Sequence, residues 1–563
     1  MFPGAQFLKK FPIGRLLFSL VVLCGGLLFT FITSKIYGIQ FLGYSEDAAG
    51  YAEIADSMIQ GRGMAQDFID FYFQRLDTIS HRTQHWFSFY SLLLTPLFLL
   101  FGKNAFVVKI ISTVSYFVLG LVLFQLVKLW FNHTIATATA LAYYFHPTPL
   151  YLATQGLPDL LFALCLISAL FFFHTLDTKK SSSIWLGVSL ACGFMTKATF
   201  LLLIMILIGA SLLYAKRTVT RRMLGSLLLM VLILTPLLGF NLATSGQLFP
   251  SDHIYLMCQI GYGENILEDH YAVIWDTPEP HYLQSLVQQG ASAFGRRFLI
   301  MARSLLSGQY YAEGGLGLLE FTLFPLCLLV VPGLAYSLPP VVRFISLSII
   351  MVWFLFFTLI FTPTDRYFVP LLLMILMLSF RGLEYISEKL SSAMNSPPTL
   401  KTILFIMVLG LIFFLETVPT LKNFYQRRVY NPYDEMIFSD RQTLLPVFED
   451  IKTSTQPQET IMVLLPATVH YYTDRQTVPI PYEGYEKVRE VISHYQVDYF
   501  LDLYPRRLYL GKNALPMLQV MKRWQAPGGQ PIMFYKVNHQ DHDADDPPLW
   551  SHSKGFLYNI PDF

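Results

Sequence analysis

FSFYSLLLTPLFLLF, residues 87–101, is apolar over about fifteen positions and carries Pro96 within it. A bilayer core is roughly 30 Å thick, and a helix needs about 20 residues to cross it. The stretch is short for a span and suited to a helix lying along the interface. Which it is matters, because the choice reverses the side of the membrane on which every later loop emerges.

The chain around it reads as a polytopic α-helical membrane protein. Its 563 residues are 54% hydrophobic and only 14% charged, with mean hydropathy +0.46. Soluble domains carry roughly 25% charged residues. About eleven apolar runs read as spans, near 16–34, 106–127, 134–151, 157–175, 183–196, 198–214, 223–241, 317–335, 342–361, 367–380 and 402–419. The first follows Lys9, Lys10 and Arg15 and reads as a signal-anchor, since no small-residue cleavage site follows it clearly. Forty basic against thirty-eight acidic residues leave a net +2, which excludes a nucleic-acid partner. The five cysteines form no CxxC pair, so neither a disulfide framework nor a zinc site is expected.

Charge decides the orientation. With 87–101 on the surface, the inner segments hold Lys9, Lys10, Arg15, Lys128, Lys179, Lys180, Lys216, Arg217, Arg221 and Arg222, then Arg343, Arg381, Lys389 and Lys401. The short outer loops hold only Lys197 and Arg366. Lys and Arg on short loops gather on the inner side, so the N-terminus is inside and the C-terminus outside a cell (inner) membrane. Residues 1–419 then form the transmembrane part, with outer loops at 35–105 (bearing surface helices) and 242–316. Residues 420–540 follow as a small extracytoplasmic α/β domain, and 541–563 as a polar tail. In the α/β part TIMVLLP (460–466), VDYFLDLY (497–504) and PIMFYKV (531–537) read as strands, and EKVREVISHY (486–495) as a helix.

Under this topology four charged groups meet one face: Glu46–Asp47, Asp159, Lys197 and Asp365–Arg366. Ionisable groups at membrane depth cost about 2.5–3.5 kcal/mol on insertion scales, which makes them functional suspects. Each also has a plain reading. Glu46, Asp47 and Asp159 suit the positive first turn of a helix; Lys197 suits snorkelling to headgroups; Arg366 suits pairing with Asp365 or with lipid phosphate. In SEDAAGYAEIADSMIQGRG (45–63), Tyr51, Ile54, Ala55, Met58 and Ile59 form a helical stripe that reads as a membrane-surface face. His81 and His85 beside Trp86 suit interfacial packing. One acid and two cations on the outer face of a protein with large outer loops suit one chemistry well, and the combination outweighs its members.

At these residues the chain resembles the GT-C superfamily of membrane glycosyltransferases. It is most similar to the branch holding the dolichyl-phosphate-mannose–protein mannosyltransferases and the bacterial lipid A aminoarabinose transferases. The resemblance runs over roughly 40–380: Asp47, Tyr51, Ala52 and Ala55, then LFLLFG (97–102), Pro158–Asp159, GFMTKAT around Lys197, and RYFVP at Arg366–Pro370. Family members often carry Asp-Glu, whereas here Glu46 precedes Asp47; alignment on Tyr51 makes Asp47 the family acid, with Glu46 the alternative. The family's Lys-Pro-Pro is replaced by HRTQHWFSFY (81–90), where Arg82 or His85 stands in for the phosphate-binding lysine.

The resemblance implies an inverting transfer of a sugar from a polyprenyl-phosphate donor to an acceptor hydroxyl on a glycolipid, glycan or protein. Asp47 (or Glu46) would be the general base, Lys197 and Arg366 the donor-phosphate ligands, and Asp159, Tyr51, Arg82 and His85 the acceptor or supporting groups. Neither a cofactor nor an obligatory divalent metal is expected. The rival is a polytopic lipid or glycolipid flippase or transporter, which should show paired inverted repeats or matched broken helices; neither is evident in the sequence.

Overall fold

The computed structural model describes residues 13–37, 41–42, 46–72, 75–83, 88–214, 216–248, 275, 295, 298–299, 326–336, 338–359, 365–393, 444–481, 485–503, 517–525 and 531–539. The span expected at 402–419 and His85 lie outside them, as do most of the second outer loop and the tail.

Helix α1 (Ile13–Tyr37) is followed by α2 (Glu46–Ile59), a two-stranded ribbon of β1 (Ala65–Gln66) and β2 (His81–Arg82), and α3 (Ser88–Phe101). Next come α4 (Ala105–Trp130), α5 (His133–Phe145), α6 (Pro147–Leu152), α7 (Asp159–His174), α8 (Ser182–Thr196), α9 (Phe200–Tyr214) and α10 (Arg217–Ser245). The membrane part closes with α11 (Val330–Ala335), α12 (Pro340–Leu359) and α13 (Val369–Ala393), the last entered through a 3₁₀ turn, Asp365–Phe368. Among the described residues, four helices are long and apolar enough to cross a membrane: Leu16–Tyr37, Ala105–Trp130, Arg217–Thr244 and Arg366–Ala393. Strips of exposed leucine and valine on α1 (Leu16, Leu23, Leu27) and α10 (Leu228, 72% exposed, with Val231 and Leu232) suit contact with lipid.

The segment expected as one span at 134–151 is two helices. His146 ends α5 in extended backbone, its side chain caps the next helix by accepting from Thr148 N, and Pro147 opens α6. Proline has no amide to continue the earlier helix and suits the first turn of a new one. Where α11 meets α13, a Cβ at Gly333 would overlap the Leu378 carbonyl and one at Gly382 the Leu329 carbonyl, so only glycine permits this approach.

Helix α3 lies flat. At about 1.5 Å per residue its 14 residues span about 21 Å, short of a bilayer core. Near its start, the Tyr90 hydroxyl donates to Val108 O at 2.7 Å, in the first turn of α4, and lies 2.9 Å from the Ser112 hydroxyl. Its far end reaches the same α4 terminus through Gly102 (φ +77°) and the Asn104 cap. Both ends of α3 thus sit at one end of α4. Ser91 Oγ also donates to the Tyr51 carbonyl, tying α3 beneath α2.

The C-terminal residues form an α/β layer: α14 (Leu445–Ser454), β3 (Thr460–Val463), α15 (Pro466–Thr473), β4 (Gln476–Pro479), α16 (Tyr485–Tyr495), β5 (Tyr499–Asp502), β6 (Leu518–Gln525) and β7 (Pro531–Val537). The sheet order is β4-β3-β5-β7-β6; β3 runs parallel to both β4 and β5, and the other pairs are antiparallel. Alternate residues of the central strands enter opposite cores. Ile461, Val463, Tyr499 and Leu501 pack with Phe448 and Ile451, whereas Met462 and Phe500 pack with Val491 and Ile492. The first outer loop closes the β4 edge: Ile69 N donates to Thr477 O at 3.0 Å and Tyr72 Oη to Pro479 O.

Candidate active site

Asp47 lies in the first turn of α2. Of the stripe expected to face the membrane surface, Tyr51, Ile54 and Ala55 are instead buried in protein and Met58 and Ile59 half-buried; Tyr51 and Ala55, with Ala48 and Ala52, join the cluster of Tyr90, Leu94 and Phe98 of α3, Val108 and Ile111 of α4, and Ala467 and Tyr471 of α15. The reason is Glu53, only 2% exposed on the same helix, whose charge requires partners that lipid cannot supply. It finds His470, Lys103 and Arg62.

Arg366 comes from the turn that opens α13 and meets Asp47 across 319 residues, Nη1 to Oδ2 at 2.6 Å, with both side chains about a quarter exposed. Lys197, the first residue after α8, forms an ion pair with Asp159 at the start of α7. Asp159 is 3% exposed, and its second carboxylate oxygen has no donor among the described residues. The Tyr367 ring joins the two pairs: Lys197 Nζ is 4.4 Å and Arg366 Cζ 5.0 Å from its centroid, and its hydroxyl accepts from Arg366 Nη2 at 3.0 Å. A cation over an aromatic face is held by the ring's quadrupole, so Tyr367 fixes both charges without neutralising either.

Tyr51, on α2, has its ring 5.3 Å from that of Tyr90 and feels the charges of this group. Burial pushes its phenol well up, Asp47 and Asp159 add to the shift, and Arg366 opposes it. Two ion pairs from four distant segments are therefore joined through Tyr367.

Three other expected residues lie elsewhere. Glu46 points away from Arg366 toward α15, where Oε1 accepts from Thr468 N at 3.4 Å. Burial raises its carboxyl well above the usual range, with Asp70 and Asp47 adding and the Thr468 and Ala467 amides opposing. Arg82 is bound to the end of α10 through the Asn241 and Thr244 side chains, and its guanidinium covers the Phe240 ring at 4.8 Å. His85 is outside the described residues. Tyr367 is the member sequence reasoning missed. In RYFVP the arginine carries the signal, and an aromatic next to an arginine carries none until the second cation is placed.

Among the described residues one trio has the spacing of metal ligands, Glu53, Asp67 and His470. Arg62 and Lys103 reach into it, Arg62 Nη1 at 2.8 Å from Asp67 and Lys103 Nζ at 3.5 Å from Glu53, so its charge is already answered.

The described residues form a helix-rich protein with four helices long and apolar enough to cross a membrane, and comparison with known proteins gives it three likenesses. The profile of the dolichyl-phosphate-mannose-protein mannosyltransferase family matches residues 89–240. No curated protein sequence matches the chain. The chain is similar in structure to ArnT from Cupriavidus metallidurans in the apo state, at 14% identity and TM-score 0.52 over 91% of this chain and 97% of that one. The same protein bound to undecaprenyl phosphate gives 13% and 0.53 over the same shares. The apo oligosaccharyltransferase of Archaeoglobus fulgidus gives 13% and 0.58 over 95% of this chain and 76% of that one. The likeness to these solved structures is one of fold, and the family profile is confined to 89–240.

Proposed function

We propose that the chain is an inverting glycosyltransferase that moves a sugar from a polyprenyl-phosphate donor to an acceptor hydroxyl at the outer membrane surface. The supporting observation is the 2.6 Å contact of Arg366 with Asp47, beside the Lys197–Asp159 pair. A donor phosphodiester carries about one negative charge, and the departing monoester moves toward two. Cations at that phosphate bind the transition state more tightly than the ground state, which is what lowers the barrier. Arg366 can grip two phosphate oxygens, while Lys197 acts as a point charge. A phosphate held there lies beside Asp47, which takes the proton of the acceptor hydroxyl as that oxygen attacks the anomeric carbon. The phosphate leaves from the opposite face, so one displacement inverts the centre. Tyr51 and Asp159 support the acceptor side.

No divalent metal takes part in this reading, because each acid of the cluster already faces a cation; transfer should persist in a strong chelator. The decisive assay incubates purified protein with radiolabelled polyprenyl-phosphate sugar. Release of free polyprenyl phosphate supports transfer, whereas movement of intact lipid between leaflets supports a flippase. Asp47→Asn should leave the protein inserted and lower transfer by about 10²–10⁴-fold, the usual worth of a general base. Full activity in that variant ends the assignment.

A further inference from the structure

The order β4-β3-β5 is a doubly wound one. The chain leaves β3 for β4 on one side and returns past β3 to β5 on the other. In such sheets the crevice at the carboxyl ends of the strands seats a ligand, and the first helix offers its N-terminal amides to an anion. Here that helix is α15. Its N-cap is Leu465, which provides no side-chain hydrogen bond. Its first amides therefore need an acceptor from elsewhere. The acceptor is Glu46, 422 residues away in sequence, whose Oε1 receives Thr468 N. The seat a doubly wound layer would offer to a ligand is filled by the chain's own Glu46 carboxyl oxygen.

The contact belongs to a broader docking. Glu46 and Glu53 are seven residues apart, so they lie on one face of α2. Both meet α15: Glu46 at Thr468, and Glu53 at His470, whose Nε2 is 2.9 Å from Glu53 Oε2. Ala467 and Tyr471 also share one apolar cluster with Ala49 of α2, which lies beside that face. Asp47 follows Glu46 by one residue, about 100° round the helix. Holding one face of α2 against α15 therefore fixes the rotation that aims Asp47 at Arg366.

We propose that Glu46 is a positioning residue: seated on the N-terminus of α15, it makes the C-terminal α/β layer the part that orients Asp47. This rests on the reading of Asp47 as the base, and its test separates the two. Glu46→Gln keeps an oxygen acceptor for Thr468 N, whereas Glu46→Ala removes it. The probe is the pool of polyprenyl-phosphate sugars extracted from radiolabelled producing cells. Small misplacements of a reacting group can cost up to about 10²-fold, so Glu46→Ala should lose about 10-fold or more in kcat. Donor KM should stay within about twofold, since the phosphate ligands are untouched, and Glu46→Gln should restore kcat to within about threefold. Hydrogen exchange of residues 467–470, measured on full-length protein in detergent, should be slow in the wild type and Gln variant and fast in the Ala variant. That readout needs no activity, so it stands even if the wild type transfers nothing and the proposed function fails. Two results overturn the inference: a Gln variant as inactive as Asp47→Asn, which would make Glu46 itself the base, or unchanged exchange at 467–470 in the Ala variant.

Discussion

At the scale of single residues, the site's stability and its chemistry rest on the same ion pairs, and they can be separated. Asp159 and Lys197 are 2% and 18% exposed at the side chain. Removing one partner of a buried pair costs about 3–5 kcal/mol, because the other charge is stranded, while replacing both by apolar groups is often neutral. Asp159→Leu alone should therefore lower thermal stability in detergent sharply, and Asp159→Leu with Lys197→Met should recover most of it. The double variant should still fail to use lipid donor. If it regains transfer along with stability, the pair is structural and Lys197 has no phosphate role. The sequence made Asp47, Asp159, Lys197 and Arg366 legible because charge is rare at the ends of apolar runs. It could not place Glu46, since two adjacent acids look alike until the helix assigns them to different neighbours. Nor could it reveal Tyr367, which matters only through two cations that come from separate helices.

At the scale of elements, α2 and α15 are joined by a titratable contact. His470 Nδ1 lies 2.7 Å from the Arg475 carbonyl and Nε2 2.9 Å from Glu53. Both ring nitrogens face acceptors, so the docked ring is the imidazolium. Burial alone would lower its pKa, but Glu53 outweighs burial and the opposing Lys103 and raises it. Glu53 is raised by burial yet carried down to about 2 by His470, Lys103 and Arg62. The signs differ. The His470 contribution is full below the ordinary histidine range and is lost as pH rises through the raised value. The Glu53 contribution is full above its ordinary 4.5 and is lost as pH falls toward about 2. Docking should thus be tightest between the ordinary carboxylate and histidine ranges and loosen on the alkaline side. Proteolysis or hydrogen exchange of 466–473 across pH should show this, and His470→Gln should abolish the alkaline loosening. A flat profile in the wild type contradicts it. The element α15 itself was not legible: PATVHYYT is rich in β-branched and aromatic residues and follows a strand, so local propensity gives no helix there. β4 and β6 were missed for a related reason. β4 is four residues long, and β6 carries Lys522, Arg523 and Gln525 on a largely exposed edge. By contrast α16 and β5 were found, because each keeps its own period clearly.

At the scale of the whole molecule, one reading made from fifteen residues carries the rest. If 87–101 lies flat, the chain between Arg82 and Asn241 contains α4, the broken pair α5 and α6, then α7, α8, α9 and α10: an even number of passages, returning it to the starting side. Arg82 does contact Asn241 and Thr244 at the end of α10. The same parity brings Asp47 to Arg366, whereas Asp159 and Lys197, with only α7 and α8 between them, meet on either reading. Had α3 crossed, Arg82 and Asn241 would stand on opposite faces. Lys and Arg counts favour this reading because short loops record the inner side, whereas α3's hydropathy does not decide it, being as apolar as a span. The membrane test follows from the parity. In a cysteine-free background, Ser80→Cys before α3 and Leu248→Cys after α10 should both react with a membrane-impermeant maleimide added outside intact cells. Thr178→Cys, beyond the far end of α7, should react only after permeabilisation. Labelling of Ser80→Cys and Leu248→Cys from opposite sides would mean that α3 spans, and the four charges could no longer share a pocket. Labelling of both from the inside alone would keep the pocket but turn it toward the cytoplasm, where the proposed acceptor face does not exist.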